Sequence, residues 1–187
     1  MRIPKNIFAV IFFFIAIAGV FYFSISLKKD FEIQIRNIEI EGNNFLSKEN
    51  YLRFARLINK REYNYLTLQI IKDRIEKHPY VLKADVRYDG NFKVKVKISE
   101  KNIDAILIDR ENQFLITDKM QVLPILSETK NIDYPIVTNA QLNDSIKVLS
   151  SIKNNIDVLT AVKIISAVKF ANPELHDFLS TIDLQNG

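Results

Sequence analysis

The sequence predicts an α+β protein in which a single N-terminal transmembrane helix precedes two small domains built from sheets and helices. Three observations support this class: an uncharged apolar run near the N-terminus, a strand-helix-helix-strand-strand pattern after it, and short strands with packed helices towards the C-terminus. The length of 187 residues and the hydrophobic content of 48% suffice for one anchor and one or two small cores.

Composition excludes several classes of function. The absence of cysteine excludes thiol catalysis, disulfides and cysteine-based metal sites. The net charge of +4, with no basic run longer than a pair, argues against a nucleic-acid partner. Four glycines leave no phosphate-binding loop. His78 and His176 lack metal-type spacing and are predicted to be capping or surface residues. We therefore predict no catalytic residue, metal, cofactor or small-molecule substrate.

The apolar run from Ile7 to Leu27 is the strongest single signal in the chain. As a helix it would be about 31 Å long, which matches the thickness of a bilayer core. A cleaved signal peptide is the alternative, because Ala16-Ile17-Ala18 resembles a cleavage site. Cleavage there would leave an apolar new N-terminus, GVFYFSISL, so the sequence favours an uncleaved anchor.

The charges on either side of this helix are nearly balanced, with Arg2 and Lys5 before it and Lys28 and Lys29 after it. A tail of six residues is too short to be a domain, so the folded mass follows the helix. We predict a cytoplasmic tail at residues 1–6, the transmembrane helix at 7–27, a juxtamembrane linker at 28–34 and an extracytoplasmic remainder.

The first domain begins with a short strand around Ile38 and Ile40, which is followed by Gly42 as a turn residue able to adopt positive φ. Ser47 and Thr67 are placed to cap two helices, the second of which ends before Pro79. The residues at helical spacing that are predicted to face the core are Tyr51, Ala55 and Ile58 in the first helix, and Leu68, Ile71 and Ile75 in the second.

A hairpin in HPYVLKADVRYDGNFKVKVKISEK completes this domain. A three-residue turn from Asp89 to Asn91 places all apolar residues on one face. The predicted pairs are Tyr88 with Phe92, Val86 with Val94, Ala84 with Val96 and Leu82 with Ile98. The other face carries Lys83, Asp85, Arg87, Lys93, Lys95 and Lys97, with Asp85 opposite Lys95. A solvated surface is favoured over a docking surface, and its five basic residues are candidates for partner binding.

The second domain is predicted from short strands at 105–109, 113–117, 122–126 and 134–137. Two helices follow, of which Asn172-Pro173 breaks the second, and Pro173 then opens a short helix before a strand at 180–184. The first helix is marked by Leu142, Ile146 and Leu149, and the second by Leu159, Val162, Ile165 and Val168. We expect a helix that covers the sheet rather than a binding groove.

The order of short motifs after the anchor resembles the FtsQ/DivIB family of bacterial cell-division proteins. The motifs, in chain order, are Gly42-Asn43, Pro79-Tyr80-Val81, Glu100-Lys101 and Asp118. Two positions depart from the family pattern: Lys119-Met120-Gln121 stands where a glycine is expected, and EKNIDA lacks the usual proline. The resemblance implies a POTRA-like domain at 35–101 and an FtsQ-type β domain at 102–187, which is incomplete because family members continue with further strands and a second helix.

The resemblance implies a non-enzymatic scaffold in the inner membrane, enriched at the division septum. Its expected partners are FtsB/DivIC-like and FtsL-like proteins and the septal cell-wall synthase complex. The edge on which the family docks its FtsB/DivIC-type partner is expected to be missing or incomplete, and Thr181 and Ile182 in the last strand are further candidates for partner binding. The alternatives are a POTRA-containing accessory in outer-membrane protein assembly or secretion, and a membrane-tethered hydrolase that uses carboxylates.

Overall fold

A computed structural model describes residues 5–26, 35–142 and 146–185 of the chain. The chain divides into two compact units, Met1–Ile33 and Gln34–Gly187, and each is described by itself. The second unit contains two sheets, one of three strands and one of five.

The first unit contains helix α1, Lys5–Ser26, which is the helix that the apolar run predicts. Its side chains are described for residues 11–22, and all of these are exposed. Within the described residues, no helix is both long enough and apolar enough to cross a membrane. That this helix is an anchor therefore stays a prediction, as do the bounds of the tail and the linker, since residues 1–4 and 27–34 lie outside the described residues.

The domain that contains the first sheet of the second unit has the predicted order of helices and strands. It comprises β1 (Asn37–Glu41), α2 (Lys48–Phe54), a short 3₁₀ helix (Lys60–Tyr65), α3 (Leu68–Glu76), β2 (Val81–Tyr88) and β3 (Lys93–Glu100). Both predicted caps are present: Ser47 Oγ accepts from the Asn50 N–H at 3.3 Å, and Thr67 Oγ1 from the Ile70 N–H at 3.2 Å. β3 is the central strand, parallel to β1 and antiparallel to β2.

The predicted register of the hairpin is wrong by two residues. Val86 pairs with Val96 and Ala84 with Ile98, because five residues, 89–93, separate the paired residues Tyr88 and Val94, instead of the three that were predicted. Gly90, Asn91 and Phe92 all adopt positive φ in this loop. Because the slip is even, the faces of both strands are preserved, and Val94, Val96 and Ile98 are buried as expected.

Four predicted core residues are nevertheless exposed, and one of them is Tyr88, at 40%. A bulge between Val81 and Lys83 turns Leu82 outward, where it is 50% exposed, and buries Val81 in its place. Ile58 is 54% exposed because α2 ends at Phe54, one turn earlier than predicted. Phe92 is 39% exposed at the loop. The core between the sheet and the helices is formed mainly by Tyr51, Ile71, Ile75, Ala84, Val94 and Val96.

The second sheet has the strand order β6-β5-β4-β7-β8. Its elements are β4 (Ile103–Asp109), β5 (Asn112–Thr117), β6 (Val122–Pro124), β7 (Ile136–Thr138), α4 (Ile156–Ala171), α5 (Pro173–Asp177) and β8 (Thr181–Asp183). α4 covers one face of the sheet, as predicted, and buries Val158, Ala161, Val162 and Ile165. Of its predicted core positions, Leu159 and Val168 are only half-buried. Pro173 is the first residue of α5, also as predicted.

The helix predicted from Leu142, Ile146 and Leu149 is wrong for the described part of that segment. Residues 146–155 form turns, and 143–145 lie outside the described residues. Leu149 has φ 67° and donates its N–H to the Val122 carbonyl at 2.8 Å, and Val122 donates to the Ser150 carbonyl at 2.9 Å. This segment pairs with β6, whose open edge presents unpaired backbone groups that these hydrogen bonds satisfy.

Candidate functional site

The charged face of the first sheet carries more acidic residues than the hairpin alone indicates. Because β1 pairs with β3 in parallel, Glu39 and Glu41 join the basic residues on the same face. Lys93 Nζ lies 2.7 Å from Glu39 Oε2, and Lys95 Nζ lies 2.6 Å from Glu41 Oε1. Sequence analysis missed both glutamates, because the pattern of a hairpin does not reveal which strand flanks it on the other side.

These ion pairs change the electrostatics of the face. The hydrogen bond from Lys95 lowers the pKa of Glu41, and the hydrogen bond to Glu39 raises the pKa of Lys93. Both pairs are solvated, so they neutralise charge more than they stabilise the fold. The predicted pairing of Asp85 with Lys95 is wrong, since Asp85 lies opposite Lys97. We call the three basic residues of this face for which the described chain shows no ion pair the basic triad: Lys83, Arg87 and Lys97.

The other two candidates, Thr181 and Ile182, lie in β8 at the edge of the second sheet. They are therefore not brought together with the charged face, which belongs to the first sheet. Thr181 is exposed and Ile182 is half-buried against the core of the second sheet. Phe170 in α4 and Phe178 at the end of α5 are 93% and 84% exposed.

His78 was predicted to be a capping or surface residue, and the surface alternative is wrong because the residue is buried. Its ring packs edge-on against Tyr51 and Phe54, each at 4.6 Å between centroids, and against Tyr80 at 5.4 Å. Its Nδ1 accepts a hydrogen bond from the Tyr80 N–H at 3.1 Å. Burial, together with the nearby charge of Lys101, lowers the pKa of His78 from 6.5 to about 4. The imidazole is therefore a neutral structural group at neutral pH.

The two sheets are joined by a set of hydrogen bonds that we call the junction. The Tyr80 hydroxyl lies 2.8 Å from the Pro124 carbonyl and accepts from the Leu126 N–H at 3.1 Å. Lys130 donates its N–H to the Phe45 carbonyl at 2.8 Å, and the Asn131 side chain donates to the Asn44 carbonyl at 3.0 Å. The segment 124–131 thus binds both the first turn and the start of β2.

A groove of about 640 Å³ opens beside the junction. Its lining is polar and carries charges of both signs: Asn44, Phe45, Glu100, Lys101, Asn102, Ile103, Asp104, Asp118, Asn131, Tyr134 and Lys169. Among the residues described, no three histidine, cysteine or acidic side chains are placed to hold a metal ion. Sequence analysis did not find this groove, because it is assembled from five separate segments of the chain.

Comparison with known families finds a match for the domain that contains the first sheet. The family model described as POTRA domain, FtsQ-type, matches residues 33–101. The first domain is therefore similar to a POTRA domain of the FtsQ type. The chain is 25% identical over 84 residues to the cell division protein DivIB of Clostridium tetani, an alignment that covers 45% of this chain and 31% of that protein.

A second DivIB relative is somewhat more similar. The chain is 30% identical over 98 residues to the cell division protein DivIB of Clostridium acetobutylicum, covering 52% of this chain and 38% of that protein. The chain spans about a third of the length of the curated relatives it matches. The resemblance to the FtsQ/DivIB family is confirmed by these matches.

The structure explains why the FtsQ/DivIB motifs use these residue types. Gly42 has φ 82°, and a Cβ there would lie 2.3 Å from the Ile98 carbonyl oxygen. The Glu100 carboxylate holds the turn that follows: it accepts from the N–H groups of Asn44, at 2.9 Å, and Phe45, at 3.2 Å, and from the Tyr51 hydroxyl. Burial and this last bond raise the pKa of Tyr51.

Lys101, the basic half of the Glu-basic motif, contacts the second sheet. Its Nζ donates to Gln121 Oε1 at 2.9 Å, and burial lowers its pKa. The departure from the FtsQ/DivIB pattern after Asp118 is accommodated here, because Met120 adopts φ 60°. This left-handed conformation is the one that a glycine provides without strain.

Proposed function

We propose that this protein is a non-enzymatic scaffold of the bacterial division machinery. In this proposal α1 is a single-pass anchor in the inner membrane, with residues 1–6 in the cytoplasm and the folded unit outside the cytoplasm. The protein is enriched at the division septum. The folded unit recruits and regulates septal cell-wall synthesis through FtsB/DivIC-like and FtsL-like proteins and the septal synthase complex. The lipid bilayer is its other partner, and no nucleic acid or small-molecule substrate is involved.

The observation that carries this proposal is the FtsQ-type POTRA domain, matched at residues 33–101, together with two relatives named for cell division. A small sheet with helices on one face leaves its other face and its edges open to protein partners. Two surfaces are therefore the candidates for partner binding: the charged face of the first sheet, and the edge strand β8 with Thr181 and Ile182. The same POTRA type favours division over an accessory role in outer-membrane assembly.

Localisation of a tagged, full-length copy in its native host tests the proposal. We expect the tag to concentrate at the division site and to co-purify with FtsB/DivIC-like and FtsL-like proteins. Depletion of the protein is expected to produce filamentous cells with normal levels of outer-envelope proteins. An even distribution around the cell, with no division protein recovered, would reject the scaffold role.

Charge reversal of the basic triad tests the charged face as a docking surface. We expect Lys83→Glu, Arg87→Glu and Lys97→Glu together to reduce recovery of the division partners about tenfold, because complementary charges align a partner and like charges repel it. Lys93 and Lys95 are left unchanged, since their reversal would also break the pairs with Glu39 and Glu41. The measurement is the amount of partner that co-purifies with each full-length variant.

The matched control reverses two lysines and one arginine that are exposed on the helical side of the same domain, Lys60, Arg61 and Lys77. It makes the same change in net charge, and we expect recovery within twofold of wild type. Equal recovery by the two triple variants would return the charged face to the role of a solvated surface.

A further inference from the structure

The groove beside the junction is lined by five charged side chains, and two of them are already held by the hydrogen bonds described above. Glu100 accepts from Asn44, Phe45 and Tyr51, and Lys101 donates to Gln121. The remaining charged groups are two carboxylates and one ammonium group, from Asp104, Asp118 and Lys169. These three side chains are the charged groups of the groove that could bind a ligand.

Asp104 is the unusual member of this group. The residue is 91% buried, as only 9% of its surface is exposed, and it lines the groove. Within the described chain its carboxylate accepts no hydrogen bond, and the nearest cation, Lys169 Nζ, lies 3.9 Å from Oδ1. That distance exceeds hydrogen-bond range. The carboxylate is not sealed from solvent, because no fully buried side-chain oxygen of the described residues lacks a hydrogen-bond partner. Its burial nevertheless raises the pKa of Asp104, against the opposing effects of Lys169 and His176.

Lys169 is placed so that it can give way to another cation. It lies on α4, its side chain is 57% exposed, and it makes only this one long contact with a carboxylate within the described residues. Asp118, which also lines the groove, accepts one hydrogen bond, from Asn102 Nδ2 at 3.1 Å, although a carboxylate can accept about four. The groove thus has spare acceptors, and its volume lies within the range of about 300–1,000 Å³ that is usual for ligand pockets.

The chemistry of these acceptors selects a directional organic cation. A divalent metal ion would need further acidic or histidine ligands, and it would face the Lys169 ammonium group. A guanidinium presents five N–H donors in a planar fork, which can bond both oxygens of one carboxylate and reach a second acceptor. We propose that this groove receives an arginine side chain of a partner polypeptide, with Asp104 as the principal acceptor and Asp118 as the second.

This inference relies on the proposed scaffold role only for the statement that the ligand belongs to another protein. Binding of the arginine side chain displaces Lys169 from its position near Asp104. Lys169 is therefore an internal competitor, and its removal strengthens binding. A purely structural ion pair would behave differently, since its loss would not improve the affinity for any external cation.

A titration with two short peptides tests the inference. The full 187-residue chain, isotope-labelled and solubilised in detergent micelles, is titrated with N-acetyl-Gly-Arg-Gly-amide and with the same peptide carrying citrulline, the neutral isostere of arginine. We expect saturable chemical-shift changes around Asp104 and Asp118 with the arginine peptide only. Asp104→Asn is expected to weaken binding at least tenfold, and Lys169→Ala to strengthen it at least threefold.

Asp109→Asn is the matched control, because Asp109 lies at the other end of β4 and does not line the groove. We expect its affinity to stay within twofold of wild type. If Asp104→Asn fails to fold, the citrulline comparison and Lys169→Ala decide the question on folded protein. Equal binding of the two peptides, or no saturable binding by either wild type or Lys169→Ala, would overturn the inference. The septal localisation experiment is independent of this result, so the two proposals can fail separately.

Discussion

Replacing Gly42 with alanine is expected to lower the free energy of unfolding by about 3 kcal/mol or more. An L-residue in the left-handed region costs about 1–2 kcal/mol. The added Cβ would also lie 2.3 Å from the Ile98 carbonyl oxygen, so that the end of β1 must move away from β3, and overpacking of this kind costs about 1–3 kcal/mol. Denaturant unfolding of the full-length protein, followed by circular dichroism, measures the change.

Gly90 supplies the control for this prediction. It has φ 74°, but a Cβ there would have no heavy atom within 4 Å. Gly90→Ala therefore carries only the backbone cost, and we expect a loss of about 1–2 kcal/mol. Equal losses at the two glycines would show that the close approach of Gly42 to Ile98 contributes nothing to stability.

Mild acid is expected to destabilise the protein through His78. The pKa of this residue is about 4 when folded, against a usual value of 6.5. Between these two values the unfolded chain binds a proton that the folded chain does not, so stability falls as the pH drops from 6.5 towards 4. The difference of about 2.5 pKa units corresponds to at most about 3 kcal/mol. Above pH 6.5 the imidazole is neutral in both the folded and the unfolded chain, so this loss of stability is absent.

The variant His78→Asn isolates this effect. An asparagine Oδ1 can accept from the Tyr80 N–H much as the imidazole Nδ1 does, but asparagine does not titrate. We expect the variant to be less stable than wild type at pH 7, because its side chain fills less of the aromatic pocket, and to lose less stability between pH 6.5 and pH 4. His176→Asn is the control for the loss of a histidine outside the aromatic pocket. An unchanged slope in His78→Asn would contradict the role assigned to His78.

Local patterns in the sequence were sufficient for most of the first domain. The caps at Ser47 and Thr67, the positive φ of Gly42 and the buried faces of β2 and β3 each depend on residues close in the chain, which is why periodicity and turn chemistry predict them. The length of the hairpin loop was not predicted correctly. That length depends on Asn91 and Phe92 both adopting left-handed conformations, and residue type alone does not favour that for phenylalanine.

The candidate sites depended on contacts between distant parts of the chain, so they were less predictable. Glu39 and Glu41 neutralise Lys93 and Lys95 on the charged face only because β1 lies beside β3. Leu149 ends in a turn and not a helix because β6 offers it a hydrogen-bonding partner. Asp104 gains its buried setting from a helix that follows it by more than fifty residues in the sequence. None of these neighbours can be read from spacing within one segment.

The junction has a consequence for moving the POTRA domain between proteins. The family match ends at residue 101, yet the hydroxyl of Tyr80, inside that match, finds its partners at Pro124 and Leu126. A chimaera that took only the matched residues would leave this phenol and the carbonyls of Asn44 and Phe45 without the donors and acceptors they have here. A chimaera should therefore include the domain together with the loop 124–131. A substitution on one side of the junction is expected to require a matching substitution on the other side.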